Sequence, residues 1–273
     1  MSQAANPDNI VSVELVEVAA LLDMYAAAPD TIRSALGISH RAVDGGALII
    51  CIGLDNLQFN RLVGIGVTSP ARSETLDRAL AEFDRAGVRN WIVHVAQGAT
   101  DLRQMCEARG LVPHPRTWAK FIRGNDLATV STRLNVREAS LQDGDAFGHI
   151  VAQTYGLPTT AAQWMTALVG RPHWHCLMAF DGDAPVAAGA VYVGGEAAWF
   201  GLGATLPSHR RLGAQSALLA ARVETAARHG CRVLTTETGV PHPGEAGPSY
   251  HNIQRAGFRI AYLRPNLRRP ESA

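Results

Sequence analysis

The chain repeats itself. Around Gly64 it reads Gly-Ile-Gly-Val-Thr-Ser-Pro, ending at Pro70; around Gly201 it reads Gly-Leu-Gly-Ala-Thr-Leu-Pro, ending at Pro207. A repeat of this kind constrains the fold more than any composition figure, because each copy has to be one supersecondary unit. Each stretch leads into a helical pattern. Leu76, Leu80 and Phe83 stand at i, i+4 and i+7; Leu219, Val223, Ala226 and Ala227 stand at i, i+4, i+7 and i+8. Such spacings put the apolar groups on one helix face. Each helix then meets a glycine, Gly87 or Gly230, placed to end it in a left-handed conformation. Apolar strands follow at Trp91–Val95 and Val233–Thr236, then a second helix ending in Arg-Gly-Leu (109–111) or Ala-Gly-Phe (256–258). Last strands are expected near Trp118–Ile122 and Ile260–Leu263.

Strand, helix, strand, helix, strand thus occurs twice, which predicts an α/β chain of two similar domains with mixed sheets. The polar stretch Gly124–Arg133 reads as the linker, giving domains over 1–125 and 133–273. Ahead of the second unit the pattern adds a strand at Val136, helices near Asp143–Gln153 and Ala161–Leu168, and strands at His175–Phe180 and Pro185–Val193. A length of 273 residues suits two domains. The formal charge is +1 with signs mixed along the chain, which argues against nucleic acid or an anionic membrane as partner. The arginines of the tail Arg264–Arg269 read as a solvated terminus. The start lacks the layout of a signal peptide, and no apolar run reaches the roughly 20 residues that span a bilayer, so a soluble, cytoplasmic protein is expected. Cys51, Cys106, Cys176 and Cys231 lie far apart without a C-x-x-C and read as buried free thiols.

The chemistry concentrates in the segment from Thr205 to Leu219. Pro207 ends a strand, since it has no N–H for a ladder. Arg210 and Arg211 follow, then Leu212, Gly213 and the helix start Ala214-Gln215-Ser216. A turn of this composition aims backbone N–H groups and a helix N-terminus at one anion. Gly213 allows close approach, and the arginines add charge-assisted contacts. These are the parts of a pyrophosphate cradle. A Walker loop is absent, and Gly201 and Gly203 supply only the first pair of a Rossmann fingerprint.

These residues resemble the GNAT superfamily of acyl-CoA-dependent N-acyltransferases, whose central motif is [RQ]-x-x-G-x-[GA]. Arg210 and Gly213 match it, while Gln215 replaces the final Gly or Ala. The longer pattern P-x-H/Y-R-x-x-G-x-x-x-A-L-L runs from Pro207 through His209, Arg210, Gly213 and Ala217 to Leu219. R-x-G-F before a strand is met by Arg255, Gly257 and Phe258. The resemblance covers Leu134–Asn266. It implies two GNAT-like mixed-sheet domains in tandem, the first degenerate. It also implies acetyl-CoA as donor, with Ala204 and Thr205 pairing with the pantetheine arm, the loop Arg210–Gln215 with Ser216 on the pyrophosphate, and Asn252 as a further contact. A direct attack by a primary amine of a small molecule or peptide on the thioester is the implied reaction. Oligomerisation is left open, as is a non-catalytic acyl-CoA-binding or regulatory module.

The first half keeps the frame but reads Ala71-Arg72-Ser73-Glu74-Thr75-Leu76 after Pro70, without a glycine. Ser73 suits an N-cap and Glu74 would repel a phosphate, so one CoA site per chain is expected, with the first domain shaping the acceptor pocket. Glu237, at the end of a core strand, is the expected base. For the acid, Ile253 stands where the superfamily often has tyrosine; Tyr250, a turn earlier, is the nearest hydroxyl. His173 and His175 lack a third metal ligand and read as structural. The loop Val240–Pro248 is expected to border the acceptor pocket, and Tyr155 reads as a packed loop aromatic or a wall of the acceptor channel. Trp164, Trp174 and Trp199 are expected in the core.

Overall fold

In the computed structural model, residues 7–127, 130 and 132–270 are described. The first half runs α1 (Pro7–Ala26), α2 (Asp30–Leu36), β1 (Ile38–Val43), β2 (Gly46–Cys51), β3 (Arg61–Val63), α3 (Ser73–Ala86), β4 (Ile92–His94), α4 (Thr100–Ala108), β5 (Val112–Pro113) and β6 (Trp118–Arg123). The second runs β7 (Asn135–Glu138), α5 (Gly144–Tyr155), α6 (Thr159–Thr166), β8 (Trp174–Asp181), β9 (Ala184–Gly194), β10 (Ala197–Thr205), α7 (Ala214–Arg228), β11 (Val233–Gly239), α8 (Pro248–Arg255), β12 (Arg259–Arg264) and β13 (Asn266–Arg268). The expected tandem of two mixed α/β units is present, and the periodic helices lie where their apolar spacing puts them. Gly87 and Gly230 adopt φ of 69° and 80° just past α3 and α7. Part of the linker stretch, residues 128, 129 and 131, lies outside the described residues, as do the first six.

The halves are not separate bodies. One sheet has the order β1-β2-β3-β4-β13-β5, the other β12-β6-β11-β10-β9-β8-β7. Each therefore holds the other half's last strand between two of its own. The expected strand at 260–263 is β12 and lies in the second sheet, but 118–122 does not close the first unit: β6 pairs with β11 and β12, and the further strand β13 enters the first sheet between β4 and β5. A proline precedes each exchanged strand. Pro115 separates β5 from β6, and Pro265 separates β12 from β13. Lacking an N–H and restricting its neighbour, proline ends one ladder so that the chain can enter the next sheet.

The largest apolar core also belongs to both halves. It joins Leu21, Tyr25 and Phe59 to Phe147, Trp164, Trp174 and Trp199, with the tryptophans buried as expected. Helix α1 packs on β1 and β2 of one sheet and on β9, β10 and β11 of the other. Among the described residues no helix is long and apolar enough to cross a membrane. The four cysteines are buried.

Candidate active site

In the second half α7 is the crossover between the parallel strands β10 and β11. Their pairing runs from Ala197 opposite Val233 to Trp199 opposite Thr235 and stops there. Beyond that point β10 stays paired with β9 at Ala204 and Thr205, after a register shift between Gly201 and Ala204. Leu202 takes φ 54° in this bulge, a conformation rare for a branched apolar residue and typical of functional bulges. The edge of β10 facing β11 is therefore free over its last residues. Thr236 Oγ1 bridges the parting strands by donating to the Phe200 carbonyl at 2.8 Å.

At the end of this opening, α7 begins at Gly213, which has φ 82° and no side-chain cap. The first amides of the helix thus have no side-chain acceptor, the condition for anion capture. A cavity of about 590 Å³ lies over them. Arg210, Arg211, Gly213, Ala214, Gln215 and Ser216 line it, with Thr205, Asn252 and Arg255 across from them. Two expected contacts do not line it: the Ala204 side chain is buried in the shared core, and Leu212 is partly exposed. Gln215 turns toward the strand: a Cβ on Gly203 would lie 2.8 Å from its Nε2. Its side chain thereby leaves the turn open. Asn252 Oδ1 accepts a hydrogen bond from Arg255 Nη2.

Two further cavities continue the groove. An inner one of about 140 Å³ sits in the splay itself, walled by Trp199, Gly203, Gln215, Arg222, Glu237 and Ile253 together with Phe59 and Arg61 from the first half. An outer one of about 640 Å³ lies between the halves, with Gln58, Arg116 and Trp118 facing Pro241, Ser249 and Tyr250. Ser249 touches all three. The loop before α8 borders the outer cavity through Pro241, Glu245 and Gly247. Tyr250 lies on the outer wall, its ring edge-on to Phe121 at 5.3 Å, and does not line the chamber that holds Glu237. Tyr155 ends α5 and lines both chambers, its hydroxyl 3.4 Å from the Gly203 carbonyl.

Glu237 is the carboxylate of the inner chamber. Strand alternation turns Leu234 toward the α7 core, so Glu237 faces the opposite side with Trp199. Trp199 Nε1 donates to both its oxygens, at 3.0 and 3.2 Å, and Lys120 Nζ lies 3.4 Å away. Lys120 also donates to Glu17 at 2.5 Å, and Arg264 grips Glu17 with two bonds of 2.6 and 3.0 Å. Glu14 and Arg61 complete the group. Three carboxylates and three cations from α1, β3, β6, β11 and β12 thus neutralise one another inside the protein. Burial raises the Glu237 pKa, helped by the nearby Glu17 charge and opposed by Lys120 and Arg264. Burial also works against ionisation of Glu17, but Arg264 and Lys120 outweigh it and hold that carboxyl well below the ordinary range. Burial and the neighbouring Arg264 and Arg61 keep His94 neutral.

This network overturns the reading of the tail as solvated, because Arg264 is fully buried. Sequence reasoning also missed Glu14, Glu17 and Arg61. Lys120 did leave a signal: it is the chain's only lysine, set in the apolar strand Trp-Ala-Lys-Phe-Ile (118–122). Ser73 is the first residue of α3 instead of its cap, and its hydroxyl accepts from Arg109. His173 sits in a left-handed turn against Tyr192, and His175 bonds Glu138 at 2.8 Å.

Residues 144–246 match the family described as Acetyltransferase (GNAT) family. No curated protein matches the chain. Among solved structures, a GCN5-related N-acetyltransferase from Kribbella flavida is similar at a TM-score of 0.63 and 15% identity, over 95% of this chain and 96% of that one. A GCN5-related N-acetyltransferase from Sphaerobacter thermophilus gives 0.57 at 15%, over 98% and 94%. A GNAT-family acetyltransferase from Colwellia psychrerythraea gives 0.57 at 14%, over 98% and 99%. At these identities the likeness establishes the fold, and it extends over both halves. The C-terminal half of this chain, with its crossover helix entered through Gly213, carries the GNAT motif and is the part that this family's model matches.

Proposed function

We propose that the protein is an acyl-CoA-dependent N-acyltransferase that moves an acetyl group from acetyl-CoA to a primary amine by direct attack. One observation carries this reading: the uncapped start of α7 opens on the same continuous groove as a desolvated carboxylate. The residues fit the donor. The turn Arg210–Ser216, with Arg255 opposite, suits a diphosphate, and the unpaired edge of β10 at Ala204 and Thr205 suits the amides of a pantetheine arm. When bound, the donor supplies an activated acyl thioester in the splay. Glu237 there accepts the proton of the incoming amine, and its raised pKa matches that task. Trp199 and Lys120 hold its oxygens in place. The amine reaches it from the outer chamber, half of whose wall comes from the first half of the chain.

A second reading, an acyl-CoA-binding module without turnover, is favoured by Ile253, which is buried on the inner wall in place of a hydroxyl. Calorimetric titration with CoA tests what the two readings share; an absence of binding overturns both. Thiol release from acetyl-CoA across a panel of amines separates them. Under the enzyme reading Glu237→Gln lowers kcat by about 100-fold or more. The wild-type rate falls as pH drops through a Glu237 pKa above the ordinary carboxylate range. Unchanged turnover in the variant at every pH removes Glu237 from the reaction.

A further inference from the structure

Arg222 is a buried cation that no part of the reading so far uses. It lies on α7, is 2% exposed, and lines the inner chamber beside Ile253. Among the described residues no carboxylate pairs with it. Its Nε donates to the Leu218 carbonyl at 3.1 Å, and its Nη1 to the Gly201 and Ala190 carbonyls at 3.2 and 3.4 Å. Its Nη2 makes no hydrogen bond among the described residues. The site is built around this group. Gly189 on β9 leaves it room, because a Cβ there would stand 3.1 Å from Cζ, and the Phe200 ring lies 5.3 Å from Cζ. Burial lowers its pKa to about 10, which leaves it cationic at neutral pH.

Placement adds direction. Glu237 and Trp199 face the α1 side of the sheet, whereas Arg222, Phe200 and Ile253 belong to the α7 side. The titratable groups lining the chamber are Tyr155 from α5, Arg61 from β3, Glu237 from β11 and Arg222 itself. We propose that Arg222 is a further catalytic residue, whose guanidinium receives the negative charge of the departing thiolate in place of a proton-donating tyrosine. The inference rests on the acyltransferase reading. As the C–N bond forms, the C–S bond breaks and its electron pair leaves on sulfur toward Arg222. The amine proton goes to Glu237 on the opposite face and returns through water to yield the free thiol. Charge thus crosses the splay between two fixed groups, and an electrostatic partner in a water-poor site is effective there.

The test is the titration of the CoA thiol bound to the enzyme, followed by the ultraviolet absorbance of the thiolate. A cation within reach lowers a thiol pKa by about one unit or more, so bound CoA is expected to ionise at least about tenfold more readily than free CoA. Arg222→Lys keeps most of that shift; Arg222→Gln, which still offers hydrogen bonds to the bulge, loses it. The Gln variant also loses turnover while binding a CoA analogue without the thiol as tightly as the wild type. A wild-type bound thiol that ionises no more readily than free CoA overturns the inference, even if Arg222→Gln fails to fold. Equal thiol pKa values in wild type and Arg222→Gln also overturn it and leave Arg222 a support of the bulge. Failure of the wild type to bind CoA strikes the acyltransferase reading itself.

Discussion

The crossovers β3-α3-β4 and β10-α7-β11 start alike and end differently. In both, a parallel pair is joined by an amphipathic helix with a left-handed glycine just past its end. In the first half β3 stops at Val63, and the following turn is filled: a Cβ on Gly64 would stand 2.4 Å from Val18 of α1, and one on Gly46 2.2 Å from the Val63 carbonyl. The Asp44 carboxylate lies against the first turn of α3, bound by Arg72 Nε at 2.9 Å and by the Thr75 hydroxyl. In the second half β10 continues six residues past its last partner on β11, and although neither helix has a side-chain cap, a cavity lies over the start of α7. The same frame serves as a solid support in one copy and as an open groove in the other. The difference lies in what fills the turn: a carboxylate and a helix of the protein itself, or a glycine at φ 82°. The sequence pointed to Glu74 as the residue that spoils the first cradle. Glu74 stands exposed in the first turn of α3, and Asp44 from the β1–β2 hairpin adds a second carboxylate there, paired with Arg72.

The comparison breaks most completely if the two copies can be separated. Because β6 and β13 are exchanged and the main core is shared, fragments 1–125 and 133–273 are each expected to lack a cooperative thermal transition, followed by circular dichroism. A fragment 133–273 that melts sharply and binds CoA would show that the exchange is dispensable. Next in size is the ionic tie. Glu17→Gln leaves Lys120 and Arg264 short of a charge and should cost about 3–5 kcal/mol in chemical denaturation. The sign with pH follows from the lowered pKa of Glu17. Its contribution is full above the pKa of an unfolded glutamate and fades as pH falls through the lower folded value. The gap between wild type and variant should therefore narrow in acid and be widest near neutrality.

A smaller change sharpens the contrast at the turn. Gly213→Ala meets no clash, its nearest neighbour being in ordinary contact at 3.8 Å, but it must hold a positive φ, at a cost of about 1–2 kcal/mol. Weaker CoA binding by about tenfold is expected in calorimetry; unchanged affinity would mean that the turn need not be left-handed to bind. The smallest effect is expected from Asp44→Asn, whose partner Arg72 is exposed, so that loss of the pair should barely move the melting temperature. CoA stoichiometry should stay at one per chain. A second equivalent bound would show that the first copy is closed by Asp44 alone.

Much of this was legible locally. The helix faces around Leu80 and Val223, the terminal glycines and the Arg210–Ser216 turn depend on neighbours a few residues apart, where periodicity and backbone preference act. Glu237 was legible as a strand-end carboxylate. Its partners were not, because Glu17, Lys120 and Arg264 come from elements more than a hundred residues apart and meet only when two sheets close over α1.

By itself the sequence determined the duplicated α/β frame, the glycine-led turn into a helix in one copy and the absence of that glycine from the other. These are properties of short segments, set by local sterics and apolar spacing. The tertiary structure alone decided that the copies trade their last strands, that tail arginine Arg264 is a core residue, and that Arg222 shares a chamber with Glu237. Each of these depends on which distant polar groups are buried together, and the cost of burying a charge is settled only by the partner it finds.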